Sequence, residues 1–150
     1  MNKERLERAL PKLSTEAYEF TSNEDEIYNC IAWALNDTRQ YWWPTPKYGC
    51  YWPPGVPRDN TLGSVKRIFE LHGYRGCQTG NREAGYEKVA LYERQDSGVE
   101  HVARQLQSGE WTSKIGEWED IRHPTLEVLE CEDYGSVTLI MKRLRPEWPT

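Results

Sequence analysis

The sequence has no long apolar run. No stretch approaches the roughly 18 consecutive apolar residues that a membrane-spanning helix needs. The first residues, MNKERLERALPKL, are charged and amphipathic and lack the apolar centre of a secretion signal. We therefore expect a cytoplasmic protein without a membrane partner.

The sequence also lacks a basic stripe. Its 24 acidic residues outnumber its 19 basic residues, which gives a formal charge of −5. Nucleic acids and anionic membranes are bound largely through clustered positive charge. We therefore expect no nucleic-acid partner.

Cysteine is scarce, and its spacing is irregular. The four cysteines, at positions 30, 50, 77 and 131, form no CxxC pair, which argues against a structural zinc site. Thiols in the cytoplasm stay reduced, so we expect no disulfide framework. We also expect no metal and no cofactor.

Aromatic residues compensate for a low apolar content. Only 37% of the residues are hydrophobic, but seven Trp and nine Tyr bury a large area per residue and indicate a packed globule. A chain of 150 residues supports one core of ordinary size. We predict a single domain over residues 1–150, with an N-terminal extension over 1–27 and a core over 28–143.

Helices are predicted mainly in the first half of the chain. The spacing of apolar residues predicts a short helix over 3–10, a second from Tyr28 or Asn29 to Asn36 or Asp37, and a third that is capped by Asp59 or Asn60 and stopped by Gly73. Between the last two, the proline-rich stretch YWWPTPKYGCYWPPGVP predicts an irregular loop packed by aromatic rings.

Strands are predicted in the second half. Residues 88–94, 98–106 and 110–116 form an antiparallel meander in this interpretation, a short helix follows over 124–131, and 136–144 is a last strand. Helices followed by a run of strands indicate an α+β fold with a mostly antiparallel sheet.

Cys30 is the first candidate for chemistry. It lies in YNCIAWAL, in the first turn of a helix that is apolar nearly all round. Backbone N–H groups at that position can stabilise a thiolate, as a nucleophile requires. The alternative is a buried cysteine that serves only as a small core residue.

His101 is the candidate base for that thiol. It lies in the predicted strand GVEHVARQL between apolar neighbours, where an imidazole needs a partner or a purpose. His72, beside the stop of the third helix, is predicted to be structural. A Cys-bearing helix beside a His-bearing strand is an arrangement for nucleophilic attack with general-base help.

The third polar residue of this predicted site depends on the length of the turn that follows the His101 strand. A two-residue turn at Ser108–Gly109 would place Lys114 diagonal to His101, whereas a loop one residue longer would place Ser113 there. Ser113 could orient the imidazole, while Lys114 would bind a substrate anion. Asp120 and His123 are fallback candidates.

Several blocks of the chain carry a family resemblance. YNCIAWAL, HVARQL and WTSKIG resemble a family of small uncharacterised bacterial proteins that share N-C-x-A-W-A-L, H-x-x-R-Q and W-x-S-K-x-G blocks over about residues 28–143. The order of Cys helix, His strand and polar strand is more remotely similar to papain-like cysteine peptidases and amidases. This resemblance implies a papain-like core.

The resemblance also implies roles for single residues. Cys30 would be the nucleophile, His101 the base, and Ser113 or Lys114 the third polar residue. Asn29 would cap the helix or contribute to an oxyanion hole.

Other residues are predicted to surround a substrate. Trp42 and Trp43 either pack the core or line a cleft beside Cys30. Arg104 and Lys114 would then grip a substrate carboxylate.

Two functions follow as hypotheses. The first is a cytosolic hydrolase or acyl-transferase that acts on an amide or ester bond of a protein or peptide-like substrate. The second is a non-catalytic immunity or accessory module on the same fold, which binds a protein partner through its aromatic loop.

Overall fold

The computed structural model describes residues 1–45 and 47–148, apart from the side chain of Tyr48. Its α-helices are α1 (Lys3–Ala9), α2 (Cys30–Ala34) and α3 (Leu62–Leu71), and 3₁₀ segments lie at Pro11–Thr15, Lys47–Gly49 and Glu127–Leu129. The strands are β1 (Glu19–Phe20), β2 (Arg75–Cys77), β3 (Tyr86–Arg94), β4 (Gly98–Gln105), β5 (Trp111–Lys114), β6 (Asp120–His123) and β7 (Ser136–Leu144).

The seven strands form one sheet in the order β1-β6-β5-β4-β3-β7-β2. Every pairing between these strands is antiparallel. The predicted α+β class and the mostly antiparallel sheet are therefore confirmed. The long strands β4 and β3 lie at its centre, where apolar runs make both faces suitable for burial. The equally long β7 lies between β3 and the edge strand β2.

The sheet separates two apolar cores because successive side chains of a strand point to opposite faces. On one face, here the α2 face, Leu91 and Val102 pack against α2, α3 and the aromatic loop. On the other, here the α1 face, Tyr92 and Ala103 pack against the N-terminal segment and the 3₁₀ segment Glu127–Leu129. The N-terminal extension thus supplies one of the two cores.

Helix α3 shows how far periodicity predicts local structure. Its predicted apolar face is buried, with Val65, Ile68 and Phe69 at its centre. The predicted cap is wrong by one or two positions: the Thr61 side chain accepts from the Ser64 N–H, and Asp59 accepts from Thr61 instead. Both a hydroxyl and a carboxylate can cap a helix. Here the Thr61 hydroxyl caps the helix, and the Asp59 carboxylate binds Thr61.

The helix predicted over 124–131 is wrong, since only Glu127–Leu129 forms a single 3₁₀ turn. The chain must reverse there to enter β7, and Cys131 and Gly135 exchange backbone hydrogen bonds across that turn. Gly135 has φ +74°, and a Cβ at this position would lie 2.1 Å from the carbonyl oxygen of Glu93. At Gly135 the chain therefore passes directly against β3.

The β4–β5 connection decides between the two registers left open by the sequence. Gln105 pairs with Trp111. The Leu106 N–H donates to the Glu110 carbonyl, and the Leu106 carbonyl accepts from the Gly109 N–H. The loop thus has three residues, with Gly109 at φ +96° as such loops require. The two-residue turn is wrong, and the shift by one residue places Ser113 on the α1 face with His101.

Candidate active site

Helix α2 begins at Cys30 because Asn29 caps it. The Asn29 Oδ1 accepts from the Ala32 N–H at 3.4 Å and from the Trp42 N–H at 3.0 Å, while its Nδ2 donates to the Trp42 carbonyl at 2.7 Å. The capping role expected of Asn29 is therefore present. One of the two N–H groups of its side-chain amide is thus used by Trp42, and the residue is 3% exposed.

The Cys30 thiol is buried, with 7% of the residue exposed. Burial raises its pKa to about 11, although the N–H groups of Val102, Ile31 and Cys30 itself, and then the charge of Lys114, lower it. The sulfur therefore lies against the Val102 amide, next along the chain from His101. Removal from water outweighs the stabilisation that the sequence predicted for a thiolate at this helix start.

His101 is completely buried on the α1 face of β4. Its ring stacks on Tyr134 with centroids 4.3 Å apart and meets the edge of Tyr92 at 5.2 Å. Burial, and then the charge of His123, lowers the pKa of His101 to about 3. The imidazole is therefore neutral at physiological pH.

Hydrogen bonds join His101, Ser113 and His123 in a row, here the imidazole relay. His101 Nε2 lies 2.9 Å from Ser113 Oγ, which lies 2.8 Å from His123 Nε2. His123 Nδ1 lies 2.9 Å from the backbone carbonyl oxygen of Thr125. Burial lowers the pKa of His123 to about 4, so it too is neutral.

The relay fixes where each proton lies. A carbonyl oxygen only accepts, so His123 Nδ1 carries the proton and its Nε2 accepts from the Ser113 hydroxyl. Ser113 Oγ in turn accepts from the His101 Nε2–H. His101 Nδ1 is then a bare acceptor, and it is buried without a hydrogen-bond partner among the described residues.

Cys30 and His101 lie on opposite faces of the sheet. Cys30 belongs to the α2-face core, whereas His101 stands opposite Tyr92 on the α1 face. The β4–β5 ladder ends at Arg104 and Thr112, so the sulfur contacts the Val102 amide beside the point where the strands stop pairing. No hydrogen bond between the thiol and His101 is found in the described chain.

Lys114 is a buried structural cation. Its Nζ donates to the carbonyl oxygens of Asp25, Gly116 and Trp118 at 2.6, 2.7 and 2.6 Å. The ammonium also lies 5.0 Å from the ring centroid of Tyr28. Burial lowers the pKa of Lys114. All three of its donors are used, so the structure leaves none for the substrate anion predicted from the sequence.

Arg104 and the loop tryptophans are likewise committed to packing. Arg104 lies on the α2 face, where its Nε donates to the Trp33 carbonyl at 3.2 Å and its guanidinium covers the Trp33 ring. Trp42 is 6% exposed, and its Nε1 donates to Asp37. Trp43 packs against the same core. Of the two roles considered for these tryptophans, packing fits their burial.

The fallback candidates have different surroundings. Asp120 accepts from the Tyr28 hydroxyl at 2.8 Å, and burial raises its pKa. It lies on the α2 face, opposite Lys114 in the β5–β6 register, away from the relay. His123 is the relay member whose place the sequence did not reveal.

An open cleft of about 360 Å³ leads towards this site. It is lined by Tyr134, the ring that stacks on His101, and by Ile115 and Gly116 just beyond β5. Burial, and then an electrostatic contribution from Cys30, raises the pKa of both cleft tyrosines, that of Tyr41 to about 12 and that of Tyr134 well above its usual value. Cys30 is therefore within electrostatic range of the aromatic wall of the cleft.

Within residues 1–45 and 47–148, no helix combines the length and apolar character needed to cross a membrane. The same residues contain no group of three or more His, Cys, Asp or Glu side chains placed to hold a metal ion.

Fold and site together define an α+β protein with a buried thiol near an oriented pair of imidazoles. The chain belongs to the family described as Domain of unknown function (DUF7689), whose model matches residues 19–142. No curated protein matches the chain, and no solved structure matches it. The predicted membership of an uncharacterised family is thus confirmed, while the sequence blocks and the papain-like resemblance stay predictions.

Proposed function

We propose that this protein is a papain-like cysteine hydrolase or acyl-transferase that acts on an amide or ester bond. Cys30 is the nucleophile, His101 the general base and Ser113 the residue that orients it. The observation that carries the proposal is the bare, buried and unpartnered Nδ1 of His101, with the thiol against the next residue. A neutral imidazole with a free lone pair is what a general base requires.

The reaction divides into two acyl transfers. His101 Nδ1 takes the Cys30 proton as the sulfur attacks the carbonyl carbon, and it then gives that proton to the departing amine or alcohol. The acyl group remains on Cys30 as a thioester. Water, or an acceptor amine or alcohol, next loses a proton to His101 and attacks the thioester. The carbon–sulfur bond breaks, the acyl product leaves, and the Cys30 thiolate takes the proton back from His101.

The resting pair is neutral rather than an ion pair. Burial holds the pKa of the thiol at about 11 and that of the imidazole at about 3. Proton transfer must therefore accompany attack on a bound carbonyl. The four cysteines are free thiols, which fits the reducing cytoplasm where we place this activity.

Trapping of the acyl group on Cys30 tests the proposal. The intact protein is incubated with p-nitrophenyl acetate, and acetylation of each cysteine is followed by peptide mass spectrometry. We expect Cys30 to be acetylated faster than Cys131, and His101→Gln to abolish that advantage while Cys131→Ala leaves it unchanged. Equal acetylation of all four cysteines, or of Cys30 only after unfolding, would contradict the proposal.

The same burial favours the second candidate, a non-catalytic protein-binding module. A fully buried thiol with a raised pKa resembles an inert core cysteine. Under this alternative, Cys30→Ala and His101→Gln would leave binding of a partner unchanged, and neither would affect acetylation. Trp42 cannot serve as its exposed anchor, since it is buried in the core.

A further inference from the structure

Carboxylates surround the approach to Cys30. Glu117 and Asp133 line the cleft, and both are exposed. An adjoining depression shares Glu117 and Trp118 with the cleft. It adds three more carboxylates, Glu24, Asp25 and Glu26. A group entering the cleft therefore passes between side chains of one charge sign.

In the described part of the chain, the cleft itself is not lined by cations. Lysine, arginine and histidine are absent from the described residues that line the cleft. Arg5 borders the adjoining depression, but its Nη2 lies 3.2 Å from Glu119 and 3.4 Å from Glu24. Lys114 is enclosed by three carbonyl oxygens. The charged side chains that line the cleft, Glu117 and Asp133, are consequently both acidic.

The walls of the cleft also suit a cation. Tyr41, Trp118 and Tyr134 present aromatic rings, whose faces attract ammonium and guanidinium groups. Trp118 already has the Arg5 guanidinium 4.1 Å from its ring centroid. An aromatic cleft rimmed by carboxylates favours a positively charged guest.

We infer that the substrate taken at Cys30 carries an ammonium or guanidinium group near the carbonyl that reacts, as in a basic peptide. This rests on the proposed function, because the cleft ends at Tyr134, the ring that covers the unpartnered Nδ1 of His101. It replaces the anionic substrate that Arg104 and Lys114 suggested in the sequence.

Charged thiol reagents test the inference on the intact protein. Methanethiosulfonates that carry a trimethylammonium or a sulfonate group are compared with the uncharged methyl reagent. Each forms a mixed disulfide with a cysteine and releases methanesulfinate, and the rate at each cysteine is read by peptide mass spectrometry. At low ionic strength we expect Cys30 to react at least about tenfold faster with the cationic than with the anionic reagent. Added salt should reduce that ratio.

Variants and a second cysteine provide the controls. Glu117→Gln with Asp133→Asn should lower the ratio at Cys30, while Glu70→Gln on α3, outside both depressions, should not. Cys77 lies in a depression with three cations, Arg75, Lys88 and Lys142, and one carboxylate, Glu83. It should therefore show the opposite preference.

Each outcome separates this inference from the proposed function. The inference is overturned if Cys30 reacts at equal rates with both charged reagents, or if the ratio of the two rates is unchanged in the double variant. Either result leaves the proposed function standing. If Cys30 reacts with none of the three reagents until the protein unfolds, the thiol is a closed core group and both fail.

Discussion

Removal of the Ser113 hydroxyl should destabilise the protein strongly, although the change removes only one oxygen atom. Ser113→Ala leaves two buried imidazole nitrogens without partners, the donor Nε2–H of His101 and the acceptor Nε2 of His123. Each buried polar group left unpaired costs about 1–3 kcal/mol, so we expect the free energy of unfolding to fall by about 2–6 kcal/mol. Urea titration followed by tryptophan fluorescence gives this difference directly.

Two variants make that measurement specific. Ser64→Ala also truncates a buried serine, but the partners of its hydroxyl, Thr61 and Asp59, still bond each other when it is removed. It should cost less than about 1 kcal/mol. Ser113→Thr retains the hydroxyl and should recover part of the loss. If Ser113→Ala is as mild as Ser64→Ala, the relay does not exist as described and the tautomer assigned to His101 loses its basis.

Three further predictions concern the same region. Long-range ¹H–¹⁵N correlation spectra should show His101 as the Nε2–H tautomer and His123 as the Nδ1–H tautomer, and a proton on His101 Nδ1 would contradict the proposed base. Burial holds the pKa of His101 at about 3 and that of His123 at about 4. Below the usual histidine pKa of about 6.5, the unfolded chain therefore binds two protons at these residues, whereas the folded chain leaves both rings neutral. The stability conferred by the neutral rings is complete above about pH 6.5, and it decreases by up to about 2.7 kcal/mol for each unit by which the pH is lowered. Urea titrations from pH 7 to 4.5 should show a weaker pH dependence of the free energy of unfolding in the double variant His101→Gln/His123→Gln. Parallel curves for the two proteins would refute this. Trp42→Ala should cost about 3–5 kcal/mol as a core truncation, whereas an exposed anchor would leave urea unfolding unchanged.

The sequence predicted those elements whose pattern extends over several turns or pleats. Helix α3 and strands β3, β4 and β7 were found close to their predicted bounds. Strands β1 and β2 have two and three residues, too few for an alternation to emerge, and their pairing is set by neighbours distant in sequence. Their existence is a tertiary effect that local propensity cannot supply.

The site was predictable only in part because a sheet converts a single-residue shift into a change of face. Both Ser113 and Lys114 were open until the three-residue loop was seen, and that loop depends on Gly109 at positive φ. His123 could have been found once Ser113 was fixed. Continuing the meander through β6 places His123 opposite Trp111 and on the face of Ser113.

The relay is what distinguishes a site from a well-packed core at Cys30. A core selected only for stability would satisfy each buried nitrogen or replace the ring by an apolar one, since an unpaired acceptor costs about 1–3 kcal/mol. Here two histidines and a serine satisfy each other's hydrogen bonds, and the nitrogen left without a partner among the described residues is His101 Nδ1. Its ring lies against Tyr134, and the next residue along the strand, Val102, has the amide that contacts the thiol. Natural proteins break local rules chiefly at functional sites. The free-energy cost of leaving His101 Nδ1 unpaired is therefore the best physical reason to look for chemistry at Cys30. The aromatic loop is a weaker candidate, because its tryptophans are already used for packing.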